Sequence, residues 1–262
     1  MSTPRTLFLS PRLTDTGQAL AGAARRRGLH VETLTAWRTP DVLRGCPGAS
    51  LYAGPLFADA VSRELGLGLL EAAPGWLAGL PRELTRRDIE LTTVAAARGL
   101  RRPAFVKPPT TRASRPASTR TAVGCRARTR STTPHRCWSA TSWPSTWSTG
   151  CSCSTGRCAP RAGTRGALAV VPLDDDPLRG EVLTFAARLP AAQLPSAVVV
   201  DVGRLAHDGG WAVVEANAAW ASGHYACDPD AALDVVLRAA CPAGSVGRRD
   251  TRFLRASPPR VG

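Results

Sequence analysis

The chain has 262 residues, enough to bury a sizeable core, and carries a formal net charge of +14 at pH 7. Such a charge would ordinarily indicate a nucleic acid or an anionic membrane as the partner. Ten of the arginines, however, fall within residues 109–165, which contain no Asp or Glu, so the rest of the chain holds 24 basic and 20 acidic side chains, a net of +4. The charge outside that segment gives no reason to expect nucleic acid as a partner.

The N-terminal part alternates between predicted strands and helices. Short apolar runs predict strands at 6–10, 30–35 and 49–53, and helical spacing predicts helices at 15–27 and 56–65. This alternation indicates an α/β layer with parallel strands. A connector rich in Pro, Gly and Trp follows at 71–84, so we predict a first domain over residues 1–84.

A second domain is predicted over residues 85–241. Before the arginine-rich segment it contains residues 88–93, a predicted helix at 94–100 and a predicted strand at 103–108. After that segment, strands are predicted at 166–173, 181–189, 198–202 and 211–215, the last two joined by the Gly209-Gly210 turn. Apolar residues on one face predict a helix at 230–240, and residues 242–262 are predicted to form a flexible tail.

Residues 109–165 are crowded with Arg, Ser, Thr, Cys and Trp and show no apolar period. When the codons of residues 138–158 are read one base over, they can give V-G-D-V-V-A-F-D-V-E-Y-R-L-F-V-L-D-G-E-V, which alternates as strands do. We therefore hypothesise a frameshift in this segment. In the present frame we expect disorder, because the segment offers too little apolar surface to offset roughly 1–2 kcal/mol of backbone entropy per residue. Resequencing the gene tests the hypothesis, and an intact frame would exclude it.

Cysteine usage and apolar runs bear on the compartment. Five of the eight cysteines lie in the same segment, which leaves Cys46, Cys227 and Cys241 scattered and implies no disulfide framework. The N-terminus has no apolar run of signal-peptide length, and no span approaches the roughly twenty apolar residues of a transmembrane helix. We expect a cytoplasmic protein with no membrane partner.

Three polar residues stand in the predicted hairpin strands. Asp201 follows a run of valines, and Glu215 and Asn217 follow the apolar run of the returning strand. The period of two places Glu215 and Asn217 on the same side of the backbone. Carboxylate and amide oxygens suit Mg²⁺ that also holds nucleotide phosphates. The set therefore favours a metal site over strand-end acids that are simply solvated.

Together with Ala-Phe-Val-Lys107-Pro, this hairpin resembles the bacterial ATP-grasp family over about residues 88–240. The resemblance implies an α/β fold, in which a pre-ATP-grasp domain precedes an ATP-grasp domain with a disrupted centre. It implies that Lys107 binds the ATP phosphates and that Arg204, as the catalytic residue, contacts the γ-phosphate or the substrate. It also implies that Mg²⁺ is held by Asp201, Glu215 and Asn217. The alternative for Lys107 is a surface lysine at a strand end.

The family places a glycine-containing flap, an adenine-binding strand and a strand with an E-x-R pattern where this chain has residues 109–165. The shifted reading F-D-V-E-Y-R-L-F resembles the last of these. The implied function is an ATP- and Mg²⁺-dependent ligase that joins a small-molecule or peptide carboxylate to an amine or thiol through an acyl phosphate, and that is impaired in the present frame.

Two alternatives stay open: a non-catalytic remnant with a disordered basic middle, and a basic nucleic-acid-binding protein. After Gly223, His224 and Tyr225 are candidates to line a substrate pocket, the alternative being a loop histidine without a role.

Overall fold

The structure is a computed structural model that describes residues 5–101, 104–107, 117–119, 136–140, 149–154, 157–162, 178–205, 208–224 and 227–256. Between residues 117 and 162 it describes the backbone of strands alone. The remainder of the segment predicted to be disordered, and the strand predicted at 166–173, lie outside the described residues. Each helix in the described part is too short or too polar to traverse a bilayer.

The N-terminal layer is a parallel three-stranded sheet with two helices. Its elements are β1 (Thr6–Leu9), α1 (Asp15–Arg26), β2 (His30–Thr33), β3 (Ala49–Tyr52) and α2 (Pro55–Val61), with the strands in the order β2-β1-β3. The hydroxyl of Thr14 caps α1 by accepting a hydrogen bond from the backbone N–H of Gly17 at 3.1 Å. Both strand pairs are parallel, so the α/β layer predicted from the sequence is confirmed.

The first of two larger sheets follows the connector. The connector contains β4 (Leu67–Leu69) and α3 (Arg82–Thr85), and the sheet contains β5 (Ile89–Thr93), β6 (Ala104–Lys107), β7 (Ala117–Thr119) and β8 (Arg136–Ala140), with α4 (Val94–Arg98) between β5 and β6. These strands pair antiparallel in the order β5-β8-β6-β7. The sheet thus carries Lys107 at the C-terminal end of β6.

The second sheet carries the predicted hairpin. Its strands are β9 (Thr149–Ser154), β10 (Arg157–Ala162), β11 (Ala197–Arg204) and β12 (Trp211–Asn217), and they pair antiparallel in the order β10-β9-β11-β12. The remaining elements are α5 (Arg179–Ala187), α6 (Pro229–Ala239) and β13 (Ala240–Pro242). The hairpin and the helix at its C-terminal side are confirmed, and β12 is an edge strand of the sheet.

The prediction of a strand at residues 181–189 was wrong, because α5 occupies most of this stretch. Val182, Phe185 and Ala186 are buried at the i, i+3 and i+4 positions of one helical face. They belong to one apolar cluster with Val200 and Val202 of β11. A short apolar run does not distinguish a strand from a buried helix by its period alone, and tertiary packing decided the outcome here.

Strand β11 separates two apolar clusters. Its residues Val198, Val200 and Val202 pack in the cluster that includes α5, and Val199 packs in a cluster with residues of β1, β3 and α6. Trp220 lies in that second cluster, is fully buried, and donates from Nε1 to the carbonyl of Leu70 at 2.9 Å. The N-terminal layer and the hairpin therefore share one core, and the domain division near residue 84 stays a prediction.

Residues 240–256 differ from the predicted flexible tail. Strand β13 pairs antiparallel with β4, and Leu254 forms a bridge with Leu70. The guanidinium of Arg255 donates to the carboxylate of Asp59 at 2.7 and 2.9 Å and to that of Glu71 at 2.7 Å. Pairing with distant strands and a largely buried ion network order this segment, which its Gly- and Arg-rich composition did not indicate. Residues 257–262 lie outside the described residues.

The Glu71 carboxylate predicts a pH dependence of stability. Burial raises its pKa above the ordinary value of 4.5, although the charge of Arg255 opposes the shift. Folded Glu71 therefore binds a proton more tightly than unfolded Glu71, so its ionisation costs stability as the pH rises through 4.5 and then through the raised pKa. We expect the free energy of unfolding of Glu71→Gln, relative to the native chain, to increase from pH 4 to pH 7. Urea unfolding across this range measures the difference, and a difference that shrinks with rising pH contradicts the prediction.

Candidate functional site

The predicted metal ligands meet on the β11–β12 hairpin. Asp201 pairs directly with Glu215, and Val199 pairs with Asn217. The side-chain amide of Asn217 donates to Asp201 Oδ2 at 2.9 Å and to Glu215 Oε1 at 2.9 Å. One amide thus holds two carboxylates together, as the sequence predicted for these three side chains.

A β-bulge decides which way these side chains point. Asp201 pairs with Glu215 but the next residue, Val202, pairs with Val213, so Val214 is an extra residue in β12. Side chains alternate between the faces of a strand, and one extra residue moves every later side chain to the other face. The bulge therefore places Glu215 on the face of the hairpin that carries Asp201. The sequence analysis missed this feature, because nothing in a run of valines marks a bulge.

Lys107 joins the two larger sheets at this point. It ends β6 of the first sheet, and its ammonium forms an ion pair with the carboxylate of Glu215 in the second. The two side chains are 18% and 19% exposed, so both charges lie in a largely water-excluded place where they interact more strongly than at the surface. The reading of Lys107 as an isolated surface lysine does not fit this position.

The donor set suits a hard divalent cation. Two carboxylates and an amide supply oxygen ligands, and Mg²⁺ takes few protein oxygens while phosphate and water complete its coordination. Among the described residues, no group of three or more His, Cys, Asp and Glu side chains offers a metal site made wholly by the protein. The hairpin set is therefore suited to a cation that is shared with a phosphate.

Arg204 lies apart from these residues. It stands three positions beyond Asp201 in β11, and residues three apart in a strand point to opposite faces. Its Nε donates to the carbonyl of Gly209 at 2.9 Å, and its guanidinium lies 5.9 Å from the ring centroid of Trp211. Arg204 thus packs on the hairpin turn, and its predicted catalytic role stays a prediction that this position does not support.

His224 is buried, with 3% of its surface exposed. Its backbone N–H donates to the hydroxyl of Thr16 at 3.1 Å, and its ring lies 6.2 Å from that of Tyr52. These contacts place His224 between the segment after β12 and the N-terminal layer. Tyr225, the other candidate for the substrate pocket, lies outside the described residues.

The comparisons with known proteins agree with this arrangement. A search of curated protein sequences found no match. The crystal structure of carboxyaminoimidazole ribonucleotide synthase from Aspergillus clavatus complexed with ATP is similar over 93% of this chain and 79% of its own, with 11% identity and a TM-score of 0.50. A RimK-domain ATP-grasp protein from Sphaerobacter thermophilus is similar over 81% of this chain and 90% of its own, with 15% identity and a TM-score of 0.48.

At such low identity the first of these likenesses shows the fold alone. The mixed α/β architecture and the ATP-grasp resemblance inferred from the sequence are confirmed. The model of an ATP-grasp domain, clade family 3, matches residues 81–236, more than half of the chain. The chain therefore belongs to this ATP-grasp domain family.

Proposed function

We propose that this ATP-grasp protein is a ligase that uses ATP and Mg²⁺ to join a small-molecule or peptide carboxylate to an amine or a thiol. The observation that carries the proposal is the contact of Lys107 with the Asp201, Glu215 and Asn217 set across two sheets. One cationic and two anionic side chains lie within reach of one another. Such a set can meet the phosphate oxygens and the cation of Mg²⁺–ATP at once.

The proposed chemistry divides into two transfers. A substrate carboxylate oxygen attacks the γ-phosphorus of ATP and displaces ADP, which gives an acyl phosphate. An amine or thiol then attacks the acyl carbon, releases inorganic phosphate and loses a proton. Mg²⁺ supplies positive charge to the phosphates during the first transfer.

The side chains of the site perform positioning and charge stabilisation. Lys107 neutralises phosphate charge from one sheet, and Asp201 and Glu215 hold the cation from the other. Asn217 keeps the two carboxylates at a common distance from its amide, which limits their rotamers before the cation binds. Ordering these groups in advance reduces the reorganisation that the first transfer requires.

We also propose that the chain in its present frame is impaired, because residues 109–165 take the place of the family's flap and adenine-binding strand. We expect no ADP release above background with a panel of carboxylates and amines, whereas a frame-restored chain should release ADP with its proper substrate pair. Loss of enclosure admits water, which competes with transfer from an acyl phosphate. A coupled ADP assay measures both chains.

The control in this assay is Lys107→Ala. In the frame-restored chain it should remove the activity. If the chain in its present frame releases ADP and Lys107→Ala abolishes that release, the impairment is refuted and the ligase site stands. If the frame-restored chain neither binds nor uses ATP, the proposed function fails, and a non-catalytic role takes its place.

A further inference from the structure

The guanidinium of Arg87 lies against the backbone of the β-bulge. Its Nη1 donates to the carbonyl of Val213 at 2.6 Å, and its Nη2 donates to the carbonyl of Val214 at 2.9 Å. Nη1 also donates to the carbonyl of Thr85 at 2.8 Å. Only 9% of Arg87 is exposed, and burial lowers its pKa to about 10, so the group stays charged at neutral pH.

The two carbonyls reveal what the guanidinium does. Successive carbonyls of a regular strand point to opposite edges, so one side chain at one edge cannot reach both. Val213 and Val214 flank the register shift, where the extra residue breaks the hydrogen-bond ladder. The planar fork of Arg87 collects both carbonyls on the outer side of β12, the edge strand. The contact is therefore specific to the bulged conformation.

The chain approaches β12 through an unusual residue. Arg86, which follows α3, has a φ of +53°, the single positive φ among the described non-glycine residues. The Arg86 guanidinium forms an ion pair with Asp208 in the turn of the hairpin. The hydroxyl of Thr85 donates to the carbonyl of Arg87 at 2.9 Å. These contacts fix the backbone from which Arg87 extends.

We infer that Arg87 is a positioning residue of the candidate site: it holds the bulge at Val214, and the bulge turns Glu215 and Asn217 to the face of Asp201. Without the bulge, β12 in the register of its first half would place Val214 opposite Asp201 and turn Glu215 away. The effect on ligand binding rests on the proposed function, whereas the effect on register does not.

The test combines Arg87→Met with deletion of Val214. Deleting the extra residue makes β12 regular and keeps Glu215 opposite Asp201, so it removes the need for Arg87. We expect Arg87→Met to lose the cross-strand nuclear Overhauser contact between residues 201 and 215, and the combined variant to regain it. A role of Arg87 in general stability would not be rescued by shortening the strand.

Titration with Mn²⁺, followed by electron paramagnetic resonance in the chain as it stands, gives the second reading. We expect Arg87→Met to weaken Mn²⁺ binding by roughly 10- to 100-fold, the range that residues orienting metal ligands command, and the combined variant to recover it. Arg86→Met is the matched control, because it removes a neighbouring guanidinium that touches the turn and not the bulge. It should leave both readings unchanged.

The outcomes separate the two proposals. If Arg87→Met keeps the contact between residues 201 and 215, or if the combined variant fails to regain it, the inference is overturned. If the contact behaves as expected but the native chain binds no Mn²⁺, Arg87 positions the strand and the proposed metal site fails. Should Arg87→Met not fold, Arg87→Lys takes its place, because one ammonium cannot span both carbonyls with the geometry of a guanidinium.

Discussion

In a frame-restored chain, Glu215→Ala should weaken Mg²⁺–ATP binding by roughly 30-fold or more, since truncating one partner of a buried charge pair costs at least about 2 kcal/mol. Glu215 contacts Lys107 and accepts a hydrogen bond from Asn217, so its loss removes a ligand and leaves Lys107 without this carboxylate. Asn217→Ala should weaken binding in the same direction, because the two carboxylates lose the amide that holds them together. Calorimetric titration with Mg²⁺–ATP measures both.

The matched control for this prediction is Glu181→Ala. Glu181 accepts a hydrogen bond from Trp211 Nε1 at 3.0 Å, so it is a carboxylate that contacts the same hairpin away from the candidate site. It should leave the affinity unchanged. Circular dichroism should show Glu215→Ala and Asn217→Ala folded, because neither side chain belongs to an apolar cluster of the core. Native affinity in both variants would remove them from the site.

Trp220→Ala should lower the free energy of unfolding by about 3–5 kcal/mol, the usual cost of truncating a fully buried aromatic residue. Trp220 has no exposed surface and packs among residues from the N-terminal layer and from the hairpin side of the fold. Its Nε1 also supplies a hydrogen bond to the carbonyl of Leu70, which the substitution leaves without this donor. Urea unfolding followed by circular dichroism measures the loss.

Two other substitutions sharpen this result. Trp37→Ala is the control, because Trp37 is 59% exposed and should cost far less. Trp220→Phe keeps an aromatic ring but removes the hydrogen bond to Leu70, so it should cost about 1–3 kcal/mol. If the core is shared, Trp220→Ala should shift a single unfolding transition. Two transitions, only one of them shifted, would show that the N-terminal layer and the ATP-grasp part unfold independently.

Several features of the fold were accessible from the sequence because they depend on local chemistry. Apolar runs bounded by turn residues predicted the parallel layer, and the Gly209-Gly210 turn predicted the hairpin. The spacing of Asp201, Glu215 and Asn217 predicted that they would meet, and the structure brings them into hydrogen-bond contact. Their roles in binding stay predictions.

The sequence alone placed oxygen ligands on two paired strands and a lysine at the end of another, because strand period and turn chemistry are local properties. Only the tertiary structure decided which face they share, since one extra residue at Val214, held by a guanidinium from outside the hairpin, reverses that face. The same limit explains α5, whose short apolar run acquired its helical form through packing against β11. It also explains Arg255, whose ordered position depends on carboxylates almost two hundred residues away in the chain.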